Sequence, residues 1–399
     1  MSSFIEKLPE IQLMLREMNA DGWLLCDFRQ SNIFAYRILD IPETEMKSRK
    51  FYYFIPAHGE PKKLSHRIEF AALDHLPGEK TLYSTWSELQ QGIQSLLRNV
   101  KNVAMEYSPN NNIPYVSKVD AGTIEFIRSF GVEVLSSANL VAAFEARWTQ
   151  AQLEENLRYG KIFRTMVDEI FGHIGERIRS KQSITEFQVQ EFIKKRFDAE
   201  GMFTDHGPNC SINANSANPH YNPTAEGSEE IKQGDLVLVD FWAKKNHAAG
   251  TYVDITWMAF VGNDIPEKYV KGFDVICGAR DAAISFVEKA FKEKRSIAGF
   301  EIDDVSRSYI TERGYGEYFV HRTGHSIGTE VHGNGANIDN YETKDERIIL
   351  PMTSFSIEPG IYLPGDYGMR TEVDIVIDAD SNVIVTTEPR QKVLIKILA

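Results

Sequence analysis

At 399 residues the chain has room for two domains of about 150 residues each. Its formal net charge of -13 argues against a nucleic-acid backbone as partner, and its 42% apolar and 25% charged content is ordinary for a globular protein. No apolar run approaches the roughly 18 residues that span a bilayer, and the start MSSFIEKLPEIQLMLREMNADG lacks the apolar core of a secretory signal.

Cys26, Cys210 and Cys277 are scattered, which reads as buried or free thiols in a reducing compartment. A cytoplasmic protein with neither nucleic acid nor membrane as partner is the expectation. Residues 5–18 carry apolar side chains at helical spacing, and GWLLCD after them reads as a strand. FYYFIP, NVAMEYS and VEVLSS are further strands, rich in aromatic or β-branched residues. QSLLRNV and AGTIEFIRSF are predicted helical. The alternation implies a small α/β domain over residues 1–147. No glycine-rich fingerprint follows any of these strands, so a nucleotide role has little support.

Thr149 and Gln152 make a capping box for a long helix through ENLRYGKIFRTMVDEIFGHI. Ser183 or Thr185 opens another through EFQVQEFIKKRFDAEG, which Gly201 stops. Both helices read as scaffold. GDLVLVDF, ITWMAFVG, FSIEPGIYL, EVDIVI and NVIVTT then predict helices laid on a mostly antiparallel sheet, an α+β domain over residues 148–399.

Five residues in this second part stand on or beside strand-like segments: Asp240 in LVLVD, Asp254 in TYVDITW, His325 in HRTGHSIG, Glu358 in SFSIEPGIY and Glu372 in MRTEVDIVI. Four carboxylates and one imidazole suit a pair of divalent first-row ions. Crowded carboxylates repel one another, and bound cations turn that repulsion into attraction. Asp235 and Asp374, close by in sequence, read as a turn residue and a solvated strand face.

Together these motifs resemble the pita-bread metallopeptidases, the family of creatinase, prolidase and aminopeptidase P. The resemblance covers the C-terminal domain, and the N-terminal domain is similar in size and alternation to the creatinase-like one. The two aspartates stand fourteen residues apart, where eleven is usual for the family, so the hairpin between them carries about three extra residues. Trp242 and His247 lie in that hairpin, at the expected pocket rim.

The resemblance implies that Asp240 chelates one ion, that Asp254 and Glu372 bridge both, and that His325 and Glu358 complete the other. Two such ions can hold a hydroxide between them as nucleophile. It further implies that Glu358 shuttles a proton, that His220 and His332 contact the reacting carbonyl, and that His321 lines the pocket after the scissile bond. Tyr362 and Arg370 would support the ligands. Lys344, in YETKDER, would grip a substrate carboxylate, with Arg347 adding charge, although a solvated loop is the stronger reading of that run. His206 lies near the pocket loop; the remaining histidines have no such placement.

The implied activity is hydrolysis of the Xaa-Pro bond at the N-terminus of dipeptides or short peptides. A free carboxylate grip favours an Xaa-Pro dipeptidase, with aminopeptidase P as the alternative. A different C–N hydrolase or lyase on the same scaffold, and an inactive binding module, are the rivals. The complete ligand set counts against the module. Mn2+ suits the oxygen-rich donors, and Zn2+, Co2+ or Fe2+ also fit. Short proline-containing peptides are the implied partners, with a homodimer as the assembly.

Overall fold

A computed structural model describes residues 3–398, which divide into two compact units at residues 145 and 146. The first unit contains one six-stranded sheet. Its strands are β1 (Gly22–Asp27), β2 (Phe51–Pro56), β3 (Lys62–His66), β4 (Glu79–Tyr83), β5 (Asn102–Met105) and β6 (Glu133–Ser136), in the order β4-β3-β2-β1-β5-β6. Its helices are α1 (Phe4–Glu17), α2 (Ile33–Ile38), α3 (Trp86–Leu96), α4 (Ala121–Arg128) and α5 (Ala138–Glu145). Alternate residues of β1 and β2 feed different cores. Trp23, Leu25, Phe51 and Tyr53 pack with α1, α2 and α5, whereas Leu24, Cys26, Tyr52 and Phe54 pack with α3 and α4. Coverage on both faces explains why GWLLCD and FYYFIP read as unbroken apolar runs. The helix expected at QSLLRNV begins earlier, at Trp86, because Thr85 and Glu88 form a capping box there.

In the second unit, α6 (Gln150–Arg179) starts at the Thr149–Gln152 capping box. Helix α7 (Glu186–Ala199) starts at Thr185, and Gly201 follows it with φ +61. Helices α8 (Glu267–Lys292) and α9 (Gly299–Thr311) complete the set. The strands are β7 (Met202–Phe203), β8 (Asn209–Ile212), β9 (Leu236–Lys245), β10 (Tyr252–Phe260), β11 (Ser326–Ile327), β12 (Ser354–Ile357), β13 (Gly360–Leu363), β14 (Tyr367–Arg370), β15 (Val373–Ile377), β16 (Val383–Val385) and β17 (Ile395–Lys396). They form three ladders: β17-β10-β9-β7 with β8 also on β9, β11-β12-β15-β16, and the hairpin β13-β14. FSIEPGIYL is therefore two strands, broken at Glu358-Pro359, since proline has no N–H to continue a ladder.

Strand alternation positions the functional residues. Val237, Val239, Phe241, Val253 and Ile255 turn toward α6 and α7. Asp240, Trp242, Asp254 and Thr256 share the opposite face, because the register pairs Asp240 with Thr256 and Trp242 with Asp254. That ladder is unbroken from Phe260–Leu236 to Tyr252–Lys244, so the extra hairpin residues fall in the loop beyond it. In the second ladder Ile357, Val373 and Ile375 pack into the core with α8 and α9. Glu372 lies just ahead of β15, and its N–H bonds to the Thr256 carbonyl at 3.3 Å.

Candidate metal centre

The two ladders bring their carboxylates together in a pocket of about 530 Å³, lined by all five ligand candidates and by His220, His321 and His332. Asp254, His325 and Glu372 each offer a donor atom within 4.8 Å of the others. His325 Nε2 lies 3.6 Å from Asp254 Oδ2 and 3.5 Å from Glu358 Oε1. Its Nδ1 lies 3.1 Å from the Ser326 carbonyl, and donation there leaves Nε2 free to coordinate. Asp240 joins the group through Thr256, whose Oγ1 lies 3.1 Å from Asp240 Oδ1 and 2.7 Å from Glu372 Oε2.

Asp240, Asp254 and Glu372 are all buried. Burial, and then the neighbouring carboxylates, pushes the Asp254 and Glu372 carboxyls well above their usual range. Burial also raises Asp240, partly opposed by Arg370. Asp254 Oδ1 is buried with no hydrogen-bond partner among the described residues. An orphaned carboxylate oxygen beside three more carboxylates and one imidazole is a donor set that fits divalent cations.

Arg370 is paired with Asp240. Its Nε donates to Thr256 Oγ1 at 2.9 Å and its Nη1 to Tyr362 Oη at 3.2 Å. The relay continues to His321, whose Nε2 lies 2.9 Å from Tyr362 Oη and whose Nδ1 lies 2.6 Å from the Arg322 carbonyl. Burial lowers the His321 pKa to about 4, so the ring is neutral at pH 7, with Nδ1 donating and Nε2 accepting. His332 packs edge-on against His325 with ring centroids 4.4 Å apart. His220 is exposed in the loop after residues 213–217.

Several expectations need correction. Lys344 does not line the pocket; it pairs with Glu346 at 2.8 Å and lies over the Phe300 ring. Arg347 is buried in a two-pronged pair with Asp345, so that part of YETKDER is interior, not a solvated loop. The arginines that line the pocket are Arg322 and Arg370, and Arg370 is committed to Asp240. Asp374 is wholly buried, not on a solvated face: β15 lies between β12 and β16, and the Asp374 carboxylate accepts the Asp254 N–H. Asp235 does serve a turn, accepting from the Lys232 N–H and Asn213 Nδ2. His247 pairs with Glu155 away from the pocket, whereas Trp242 and His206 line it. Thr256 was not picked out from the sequence, and Asp374 was placed on the wrong kind of face. Each stands two residues beyond a ligand candidate, on the same strand face, which was a usable signal.

The metallopeptidase family M24 model matches residues 158–379, more than half of the chain and all five ligand candidates. The chain belongs to metallopeptidase family M24. Among similar proteins, the peptidase YqhT of Bacillus subtilis is 28% identical over 265 residues, 66% of this chain and 70% of that one. The Xaa-Pro dipeptidase of Pyrococcus horikoshii is 35% identical over 176 residues, 44% of this chain and 45% of that one. The chain thus spans between about half and two-thirds of these relatives' length. The crystal structure of dipeptidase PepE from Mycobacterium ulcerans superposes with a TM-score of 0.67 at 20% identity, covering 98% of this chain and 97% of that one. The fold of this M24 enzyme is accordingly the α+β pita-bread fold with a smaller α/β unit ahead of it. All three cysteines are free and buried, and no helix among the described residues is long and apolar enough to cross a membrane.

Proposed function

We propose that this M24 enzyme is a dinuclear Xaa-Pro dipeptidase. The observation that carries the reading is the convergence of Asp240, Asp254, His325, Glu358 and Glu372 on one pocket, with a buried and unpartnered oxygen on Asp254. These five residues would hold two divalent ions, Mn2+ being the ion best suited to oxygen-rich donors. Such ions, when bound, polarise the scissile carbonyl and lower the pKa of water toward about 7.

The chain's own residues do the rest. Glu358 has Oε1 3.5 Å from His325 Nε2 and 3.1 Å from the Ser356 hydroxyl that donates to it. That oxygen is placed to take a proton from the nucleophile and deliver it to the proline nitrogen, which cannot leave as an anion. His332 and His220 offer N–H donors to negative charge growing on the carbonyl oxygen. Neutral His321, fixed by Tyr362 and Arg322, lines the proline side. Arg370 keeps Asp240 and Thr256 oriented.

The similarity to a dipeptidase that cleaves Xaa-Pro supports the substrate class. Lys344 and Arg347 lie outside the pocket lining and Arg370 is paired with Asp240, so Arg322 is the lining cation that supports a free carboxylate after proline. A cytoplasmic homodimer of two-fold symmetry completes the reading, and light scattering that gives a monomer mass for fully active enzyme contradicts the dimer. The deciding experiment strips the metal, reloads Mn2+, Zn2+, Co2+ or Fe2+, and compares Ala-Pro with Ala-Pro-Ala. A higher kcat/KM on the tripeptide makes the enzyme an aminopeptidase P, and no turnover on either refutes the reading.

A further inference from the structure

The pocket wall beside Asp254 is unlike the rest of the site. Trp242 stands directly across the β9–β10 ladder from Asp254, on the same face, with Cα atoms about 4.5–5.5 Å apart in such a pair. Its ring lines the pocket, and its Nε1 donates to Asp205 Oδ1 at 2.9 Å. Asp205 lies in the loop between β7 and β8, and its Oδ2 is 3.1 Å from His206 Nδ1. The Asp205 side chain keeps 37% of its surface exposed, so it is open to a further donor. Partial burial pushes its carboxyl up, but the bonds from Trp242 and His206 outweigh this and the net shift is downward.

Among the described pocket-lining carboxylates outside the ligand set, Glu342 is the other candidate, and its Oε1 already accepts the Arg322 N–H at 3.1 Å. The negative charge of Asp205 is felt at Asp254 and His332, whereas Arg370, Tyr362 and His321 run along the Asp240 and Glu358 side. The Asp205 carboxylate is thus held by Trp242 and His206, outside the relay of Arg370, Tyr362 and His321.

We propose that Asp205, positioned by Trp242, receives the α-ammonium of the residue preceding the scissile bond. This rests on the Xaa-Pro hydrolase reading. The chemistry sets a tight distance. The α-nitrogen of the first residue is about 2.5 Å from the carbonyl carbon under attack, and an ammonium–carboxylate bond adds about 2.8 Å. The anchoring oxygen must therefore lie on a wall beside the centre, and Asp205 lines the pocket there, bonded to the indole of the residue that faces Asp254 across the ladder. A terminal ammonium is bound best by a charged acceptor. A carboxylate fixed by an indole N–H on a pocket wall provides one that is already oriented, so little is lost in ordering it.

The test uses metal-loaded enzyme, Ala-Pro as substrate, and lactoyl-proline, in which a hydroxyl replaces the ammonium, as competitive inhibitor. Asp205→Asn should raise KM for Ala-Pro about tenfold or more, while the lactoyl-proline inhibition constant moves less than about twofold. Trp242→Phe keeps the ring, loses the N–H, and should shift KM in the same direction by less. Equal effects on both ligands, or none on either, overturn the proposal. Lys-Pro provides the remaining arm: a loss confined to Lys-Pro would assign Asp205 to a basic side chain and overturn the α-ammonium role. If the wild type hydrolyses no Xaa-Pro substrate with any ion, the hydrolase reading itself falls and takes this inference with it.

Discussion

The carboxylate of Asp374 accepts the backbone N–H of Asp254 at 2.9 Å, joining the two ladders directly behind the metal centre. Burial, then the charge of Asp254, pushes the Asp374 carboxyl well above its usual range. Its hydrogen bond and its charge therefore act in opposite directions on stability. Asp374→Asn keeps an acceptor and drops the charge. Asp374→Ala drops both and leaves a buried N–H unpaired, at a cost of about 1–3 kcal/mol. In thermal unfolding with chelator present, the Asn variant should match or exceed the wild type and the Ala variant should melt lower. Equal losses in both would mean that the charge, and not the bond, is what the fold requires.

Asp254 is the next residue to separate stability from function. Asp254→Asn should carry far less metal than the wild type by elemental analysis and lose nearly all turnover. In chelator it should melt no lower than the wild type, since one of several repelling buried carboxylates is gone. Adding metal at about 100 times its Kd should stabilise the wild type by about 2.7 kcal/mol and the variant by much less. Two ions held tightly by an active Asp254→Asn protein would refute the ligand assignment.

Glu358→Gln preserves shape and the bond from Ser356 while removing the proton carrier. Its kcat should fall by about 10²–10⁴-fold with KM little changed. Metal content must be measured on the same samples, because loss of an ion gives the same rate defect. A drop of less than about tenfold at full metal occupancy would rule out the proton-transfer role.

The five ligand candidates were legible because each stands in or beside its own strand motif, and alternation within each strand, joined by the hairpin register, puts Asp240 and Asp254 on one face. Thr256 and Asp374 follow from the same rule applied two residues further along. Arg347 and Lys344 did not, because loop side chains have no periodicity to fix their direction. Arg347 turns inward to meet Asp345, and Lys344 turns away to Glu346. The partnership of Arg370 with Asp240 crosses 130 residues and depends on how two ladders meet, which no local pattern encodes. The break in FSIEPGIYL was readable from Pro359, but assigning its halves to different ladders was not.

His173 gives a pH signature remote from the metal centre. Its ring stacks on Phe192 with centroids 4.5 Å apart, and burial, followed by Arg177, lowers its pKa from 6.5. The unfolded chain then binds a proton at a higher pH than the folded one. Its contribution to stability is complete above about pH 6.5 and is lost as the pH falls through that value. It levels off once the folded ring also protonates. His173→Phe keeps the stack and cannot titrate. The difference in melting temperature between wild type and variant should therefore shift in favour of the variant between pH 7.5 and 5. A difference that stays constant across that range would contradict the assignment.

Gly368 controls the loop that presents His220. Its N–H donates to Ser216 Oγ at 2.9 Å, and the Ser216 hydroxyl lies 2.6 Å from the Asn213 carbonyl and 3.0 Å from the Gly368 carbonyl. A methyl group at Gly368 would press into the Ser216 carbonyl oxygen, a backbone atom that cannot swing aside. The far side of the loop is tied to Glu186, which accepts from Asn215 Nδ2 and Tyr221 Oη. Gly368→Ala must therefore displace residues 213–220 between two anchors. All five ligand candidates lie outside that segment, so metal content should hold while kcat/KM falls by about 10²-fold for a shift of about 1 Å. A double-mutant cycle with His220→Ala separates this from general damage. If displacement of His220 is the cause, His220→Ala should cost little more once Gly368→Ala is present. If it costs as much there as in the wild type, the loop still delivers the imidazole and the defect lies elsewhere.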